Sequence, residues 1–368
     1  MKLTIDSTPL KRALSRAAGI IATRNTVPIL DSVLLKADND ALTVEATDLE
    51  ISVVETLPAK VALPGGFCVG GKALADIMAG FPAADVEIDL SENDRMRMKS
   101  GTYKASLPTL DAKDFPLVRA GKLPVRFTMG VEVLRSVIKK ISFAQSDDVS
   151  RAWLKGIYMH VTADPERQLC FAATDGVVLA VSRQAMPDGA ATLPEMILPA
   201  SSAAQIAKII GDTEGDISIG ASESLLELQV GTVTFSTKLV SGQFPEYKRL
   251  IPAGYKSRLR LMRKPLVEAL GLVSALQGKA VKLAVSETEV TISGTKQEQG
   301  EASVTLVSGQ MELEGEPIEI GVWLRNMKNI ASATEGDVEL LMTDPLGPLV
   351  LAHCDDPSVQ YVTMPYRI

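Results

Sequence analysis

The stretch Gly66-Phe67-Cys68-Val69-Gly70-Gly71-Lys72-Ala73 carries the glycines and the lysine of a phosphate-binding loop. Ala73 stands where a Ser or Thr hydroxyl would ligate magnesium, so that chemistry is incomplete. The corresponding stretches Leu198-Pro199-Ala200-Ser201 and Gly321-Val322-Trp323 keep a strand-to-helix junction and lose the Gly-Lys pair. The glycines therefore read as the opening of a helix. Thr47-Asp48-Leu49-Glu50 and Thr174-Asp175-Gly176 offer carboxylates to a metal. As matched positions in a repeat they read better as turns whose side chains cap local N–H groups. The two histidines, His160 and His353, lie 193 positions apart, which argues against a His-based metal centre or a Ser-His-Asp hydrolase. Catalytic residues, metal ligands and cofactors are all expected to be none. Cys68, Cys170 and Cys354 are odd in number and far apart, which fits a reducing compartment. Cys170 and Cys354 lie in apolar strand runs and read as core thiols.

The charge chemistry is more informative. The chain carries a net charge of −7. Its six expected helices nevertheless hold 12 basic and 3 acidic residues. These are Lys11, Arg12 and Arg16; Lys72 and Asp76; Glu132, Arg135, Lys139 and Lys140; Lys208; Arg263, Lys264 and Glu268; and Arg325 and Lys328. Lys and Arg are good helix formers on any solvated face. The sharper reading is a phosphate-facing surface on a body that otherwise repels polyanions. Aromatic residues make up 4%, too few for stacking on single-stranded bases to be the main mode. Sequence-independent contact with a nucleic-acid backbone remains.

The elements that position these residues repeat. Leu3-Thr4-Ile5, Arg126-Phe127-Thr128-Met129 and Arg258-Leu259-Arg260-Leu261 read as strands, each running into an amphipathic helix. Leu10, Leu134 and Leu266 mark equivalent helix positions, 124 and 132 residues apart. Each unit holds a second strand–helix element: Phe67-Cys68-Val69 into 72–79, Met196-Ile197-Leu198 into 201–210, and Ile318-Glu319-Ile320 into 323–331. Alternating strands follow each second helix. The fold class expected is α+β: three similar domains, 1–124, 125–255 and 256–368, each of two strand–helix–strands half-units, with helices on one face of antiparallel sheets. No apolar run is long enough to span a membrane, and the start reads as a strand rather than a leader. The expected location is cytoplasmic.

The ordered motifs Val27-Pro28-Ile29-Leu30, Thr47-Asp48-Leu49-Glu50, Asp114-Phe115-Pro116, Ala173-Thr174-Asp175-Gly176, the run from Thr237 to Tyr247 and the tail Tyr361-Val362-Thr363-Met364-Pro365-Tyr366-Arg367-Ile368 carry a resemblance. From end to end the chain resembles the bacterial DNA polymerase III β subunits, the sliding clamps. The resemblance implies a non-catalytic DNA clamp fold. A head-to-tail homodimer forms a ring with helices inside and sheets outside, which encircles double-stranded DNA at the nucleoid and acts as the processivity factor of the replicative polymerase. Implied partners are the polymerase catalytic subunit, the clamp loader complex, and other polymerases and repair proteins that carry short Gln- and Leu/Phe-containing peptides. The readings weighed against it are a small-molecule enzyme on repeated domains and a protein-interaction scaffold without DNA encirclement. No convergent acid, base and nucleophile supports the first, and the basic helices speak against the second.

By the same resemblance the peptide pocket comprises Leu154, Thr174, Gly176, Val177, Val178, Leu179, Pro245, Leu250, Val362, Met364, Pro365 and Tyr366. DNA-facing residues are Arg24, Arg151, Trp153 and Arg249, with Lys11, Arg12, Arg16, Lys72, Arg135, Lys139, Lys140 and Lys208 lining the hole. Ser106 and Leu107 of one chain are expected to meet Leu272 and Leu276 of another. Three features depart from the family pattern. Val177-Val178 replaces a basic or His-containing pair, Tyr366 replaces Met or Leu, and the segment from Gln277 to Val281 is short. The valines should make the pocket rim less polar and favour peptide hydrophobes.

Overall fold

A computed structural model describes residues 1–21, 27–90, 95–116, 121–163, 167–296, 300–354 and 356–367. Among the described residues six helices stand where the apolar spacing predicts them: α1 (Ser7–Ile20), α2 (Gly71–Ala79), α3 (Val131–Ile141), α4 (Ala200–Ile210), α5 (Arg263–Ser274) and α6 (Leu324–Ala333). None among the described residues is long and apolar enough to cross a membrane. The strands are antiparallel throughout, and each helix follows directly on a strand. Alternation is plain in Arg95–Ser100, where Met96 and Met98 are buried and Arg95, Arg97 and Lys99 face solvent.

The described residues fall into two compact units. The first comprises 1–132, 187–194 and 204–239. Its thirteen-stranded sheet starts at Val125–Gly130 and passes through Asp216–Ala221, Leu225–Val230 and Val233–Lys238. It continues through Ile51–Pro58, Ala41–Thr47, Ser32–Asp38, Gly65–Gly70 and Tyr103–Asp111, and ends in Arg95–Ser100, Asp85–Asp89, Lys2–Asp6 and Lys60–Leu63. The second unit comprises 133–186, 195–203 and 240–368. It holds a nine-stranded sheet, in which Val178–Ala185 pairs with Asp356–Thr363, and a four-stranded sheet with Gly300–Val307 at one edge. The middle third of the sequence is thus divided between the units. Val233–Lys238 pairs with Ile51–Pro58 in the first, and Val178–Ala185 with the chain's last strand in the second.

Helix α1 shows how local chemistry fixes an element. The Asp6 carboxylate accepts the Thr8 N–H at 2.7 Å and caps the first turn, a contact of about 1 kcal/mol. Leu10, Ala13, Leu14, Ala17 and Ile20 form the buried stripe. The Lys11 ammonium donates to the carbonyls of Ala79 and Phe81 and so caps the C-terminal end of α2. The second unit repeats the device: the Arg263 guanidinium donates to the carbonyls of Ala331 and Thr334 at the end of α6.

The phosphate-loop lookalike is structural. Gly65–Gly70 is a strand and Gly71 opens α2. A Cβ on Gly71 would come within 2.3 Å of the Ile21 Cδ1 and 2.8 Å of the Val33 Cγ1, so any side chain there would have to displace both. Cys170 is buried, but Cys354 corrects the expectation of a strand-core thiol. The strand Leu349–His353 ends one residue earlier, after an irregularity at Ala352/His353, and Cys354 is a half-exposed turn residue.

Candidate partner groove and DNA-facing cations

The two Thr-Asp turns are one device used twice. In the second, the Thr174 hydroxyl donates to the Val178 carbonyl at 2.7 Å and accepts the Gly176 N–H at 3.1 Å. The Asp175 carboxylate accepts the N–H groups of Val177 and Val178, each at 2.8 Å. Thr47 and Asp48 make the same four bonds to Ile51, Leu49 and Glu50. Both carboxylates are spent on backbone donors. No cluster of His, Cys, Asp and Glu able to hold a metal occurs among the described residues.

The Thr174–Val178 turn leads into Val178–Ala185, and the last strand lies along it with Thr363 opposite Val178. The Met364 N–H then donates to the Val177 carbonyl at 2.9 Å, which anchors the tail. Leu154, Leu179 and Val362 are buried in one cluster with Ala172, Val181, Ile197, Phe244, Tyr247, Leu341 and Val350. Three separated segments thus converge on one buried apolar cluster. Around this floor Gly176, Pro245, Leu250 and Met364 are exposed, Val177 and Pro365 are half-buried, and Thr174 and Val178 are buried. Tyr366 is engaged elsewhere: its N–H donates to the Gly321 carbonyl at 2.7 Å and its ring meets Trp323 edge-on at 4.8 Å. Pro365 bridges to Val322.

Sequence reasoning missed the aromatic support beneath this floor. The rings of Tyr158 and Phe244 stack at 4.6 Å, Tyr158 stacks on His160 at 4.8 Å, and Tyr247 meets Tyr158 edge-on. The Tyr247 hydroxyl lies 2.8 Å from His160 Nε2. Burial lowers the His160 pKa and raises that of Tyr247, so both stay neutral. Tyr158 and His160, two apart on one strand, were the available signal.

The expected DNA-facing cations are mostly partnered. In the first unit Lys11, Arg12, Arg16 and Lys208 line one groove of about 810 Å³ with Asp76 and Gln205. Arg12, Lys72 and Lys208 are exposed. Arg16 forks onto the buried Glu55 carboxylate, with Nε at 2.9 Å. In the second unit Arg135 is half-buried. Lys139 lies 3.2 Å from Glu335, Lys140 2.7 Å from Asp356, Arg151 2.8 Å from Asp148 and Arg249 2.8 Å from Glu246. Hydrogen bonds from Ser150 and then Arg151 push the Asp148 carboxyl down to about 2. Lys139 likewise lowers Glu335. Trp153 is half-exposed on the loop that carries Arg151. Arg24 lies outside the described residues, as does Ile368 of the tail.

Of the expected interface residues, Ser106 and Leu272 are exposed and Leu107 and Leu276 half-buried. The Ser106 hydroxyl and carbonyl both accept from the Arg95 guanidinium at 3.0 Å. Leu272 lies in the last turn of α5, and the short loop beyond it turns at Gln277 with φ 53°.

Three family models match the chain in order: the N-terminal, central and C-terminal domains of the DNA polymerase III beta subunit, over residues 1–119, 128–246 and 248–367. The chain belongs to the DNA polymerase III beta subunit family. It is 31% identical to the beta sliding clamp of Caulobacter vibrioides and 29% identical to that of Escherichia coli, each match covering all of both chains. A crystal structure of a DnaN sliding clamp from Bartonella birtlesii bound to griselimycin superposes with a TM-score of 0.95 at 30% identity, over all of both chains. As a family member the chain is a sliding clamp, a non-catalytic processivity factor of DNA replication with the three-domain clamp fold.

Proposed function

We propose that two copies of this chain close head to tail around duplex DNA at the nucleoid and tether the replicative polymerase, the clamp loader and repair proteins through one peptide groove per chain. The domains are 1–124, 125–255 and 256–368, a division supported by the three successive family matches. The observation that carries the groove is the tail strand. Its Val362 joins Leu154, Leu179 and Phe244 in one buried cluster, while Met364, Pro245 and Leu250, close in sequence to Val362, Phe244 and Ile251, are exposed. A short peptide with Leu or Phe side chains would bury them against this floor at about 1.5–3 kcal/mol each. Unbranched Met364 adapts to several partners in turn.

Two open strand edges support the assembly. Tyr103–Asp111 pairs on one side over 103–108, and no described strand covers its other side there. Gly300–Val307 is the edge of its sheet. An edge strand of one copy against that of another, flanked by Leu107 and Leu272, gives a heterologous contact that closes after two subunits. Closure makes retention topological, so weak exposed cation–phosphate contacts suffice and sliding stays fast. The griselimycin complex belongs to the Bartonella protein, and it supports a small-ligand groove in clamps of this fold.

The test has two parts. Loaded protein should stay on nicked circular DNA and run off linear DNA of equal length. Deleting Met364–Ile368 should abolish binding of a polymerase-derived peptide and leave the dimer intact. Equal retention on both DNA forms refutes encirclement, and undiminished peptide binding by the truncated chain places the groove elsewhere.

A further inference from the structure

The segment from Phe244 to Leu250 supplies the groove with Pro245 and Leu250 and is a single 3-10 turn (Tyr247–Leu250) with its lead-in. It carries no strand hydrogen bonding of its own, so side chains must hold it. Phe244 and Tyr247 pack into the buried cluster above, and the polar and stacking contacts come from one face of the strand Gly156–Val161: Tyr158 takes the Phe244 ring and His160 takes Tyr247. His160 is 3% exposed. Its Nδ1 faces the Val161 carbonyl at 3.2 Å, which only accepts, so Nδ1 carries the proton. Nε2 is then a bare acceptor, and the Tyr247 hydroxyl donates to it at 2.8 Å.

We infer that the Tyr247-to-His160 hydrogen bond positions Pro245 and Leu250 for peptide binding, and that acidification releases the turn and weakens partner affinity. The inference rests on the groove reading above. Protonating His160 puts a hydrogen on Nε2 and forces the Tyr247 hydroxyl to reverse, leaving a buried O–H without its acceptor. The surroundings oppose the charge. Lys248 on the turn and Arg183 on Val178–Ala185 disfavour an imidazolium, and Glu195, before Met196–Pro199, favours it. Tyr158, Tyr247 and the register partner Cys170 are neutral. Burial, the largest influence, keeps His160 neutral below its ordinary 6.5. The donation from Tyr247 to His160 is therefore complete at neutral pH and is lost, with the O–H left unpaired, as the pH falls through the lowered value.

Two substitutions separate positioning from mere stability. Tyr247→Phe removes the donor and keeps the ring. His160→Gln keeps an amide acceptor that does not titrate. The probe is a fluorescent, end-capped synthetic peptide containing Gln, Leu and Phe and no titratable side chain, measured with the full-length dimer between about pH 8 and about pH 5. Wild type should weaken on acidification. Tyr247→Phe should bind about tenfold more weakly at the upper pH and show a flat profile. His160→Gln should bind near the wild-type level there, also with a flat profile. Wild-type affinity and an unchanged pH profile in Tyr247→Phe would overturn the inference, as would a loss in both variants with the pH dependence intact. The chain lacking Met364–Ile368 is the control. If it binds the probe normally the groove reading fails, and if it does not bind while Tyr247→Phe is silent only the positioning role fails.

Discussion

Leu49 and Gly176 occupy the same place in two copies of one turn, and both adopt a left-handed backbone, with φ of 75° and 95°. Glycine takes this conformation freely, and leucine pays about 1–2 kcal/mol. The turns match further: the Lys238 N–H donates to the Glu50 carbonyl as the Met364 N–H does to Val177, both at 2.9 Å. Leu49→Gly should stabilise the chain by about 0.5–1 kcal/mol after subtraction of glycine's larger unfolded entropy. Gly176→Leu should destabilise it and obstruct the peptide groove. Urea unfolding and peptide titration read the two effects, and a less stable Leu49→Gly protein would contradict the first.

Glu335 and Glu246 each hold an exposed cation, Lys139 and Arg249, in an ion pair. Glu335→Gln and Glu246→Gln release Lys139 and Arg249, so DNA affinity at low salt should rise. The slope of log affinity against log salt should steepen by about 0.9 for each new phosphate contact. An unchanged slope on short duplex DNA would show that these two cations face no phosphate.

Leu272 is exposed by half in the isolated chain although it sits among apolar neighbours in α5. In a dimer its burial would contribute about 1.5–3 kcal/mol. Leu272→Asp should give monomers in sedimentation at micromolar concentration with an unaltered unfolding midpoint for the monomer. A stable Leu272→Asp dimer would move the interface away from the end of α5.

Burial raises the Asp356 carboxyl, but hydrogen bonds from Lys140 and Ser358 outweigh it and hold the group below its ordinary 3.8. A lowered carboxylate stabilises the fold above its unfolded pKa and loses that contribution as the pH falls through the folded value. Asp356→Asn should therefore cost about 1 kcal/mol at neutral pH, and the gap to wild type should narrow below 3.8. A gap that stays constant into acid would mean the ion pair contributes nothing.

The sequence by itself determined what depends on near neighbours. The apolar spacing of Leu10, Leu14, Ala17 and Ala18 dictates α1, the Thr-Asp turns cap their own backbone, and the six strand–helix junctions repeat because each is a local solution to the same packing demand. The ordered motifs also pointed to the clamp family, and the residue list of the proposed groove rests on that resemblance. Only the tertiary structure decided which strands pair. Val233–Lys238 joins Ile51–Pro58 through backbone bonds that any side chains permit, so the division of the middle third has no local signature. The fate of each cation was equally hidden: Arg16 finds Glu55 and Lys140 finds Asp356, 39 and 216 positions away. Cys354 looked like core because it follows the apolar run from Leu349 to Ala352, but the strand ends one residue short of it. His160 and Tyr247, 87 positions apart, became one hydrogen bond because burial leaves each polar atom in need of a partner, and folding alone brings that partner within reach.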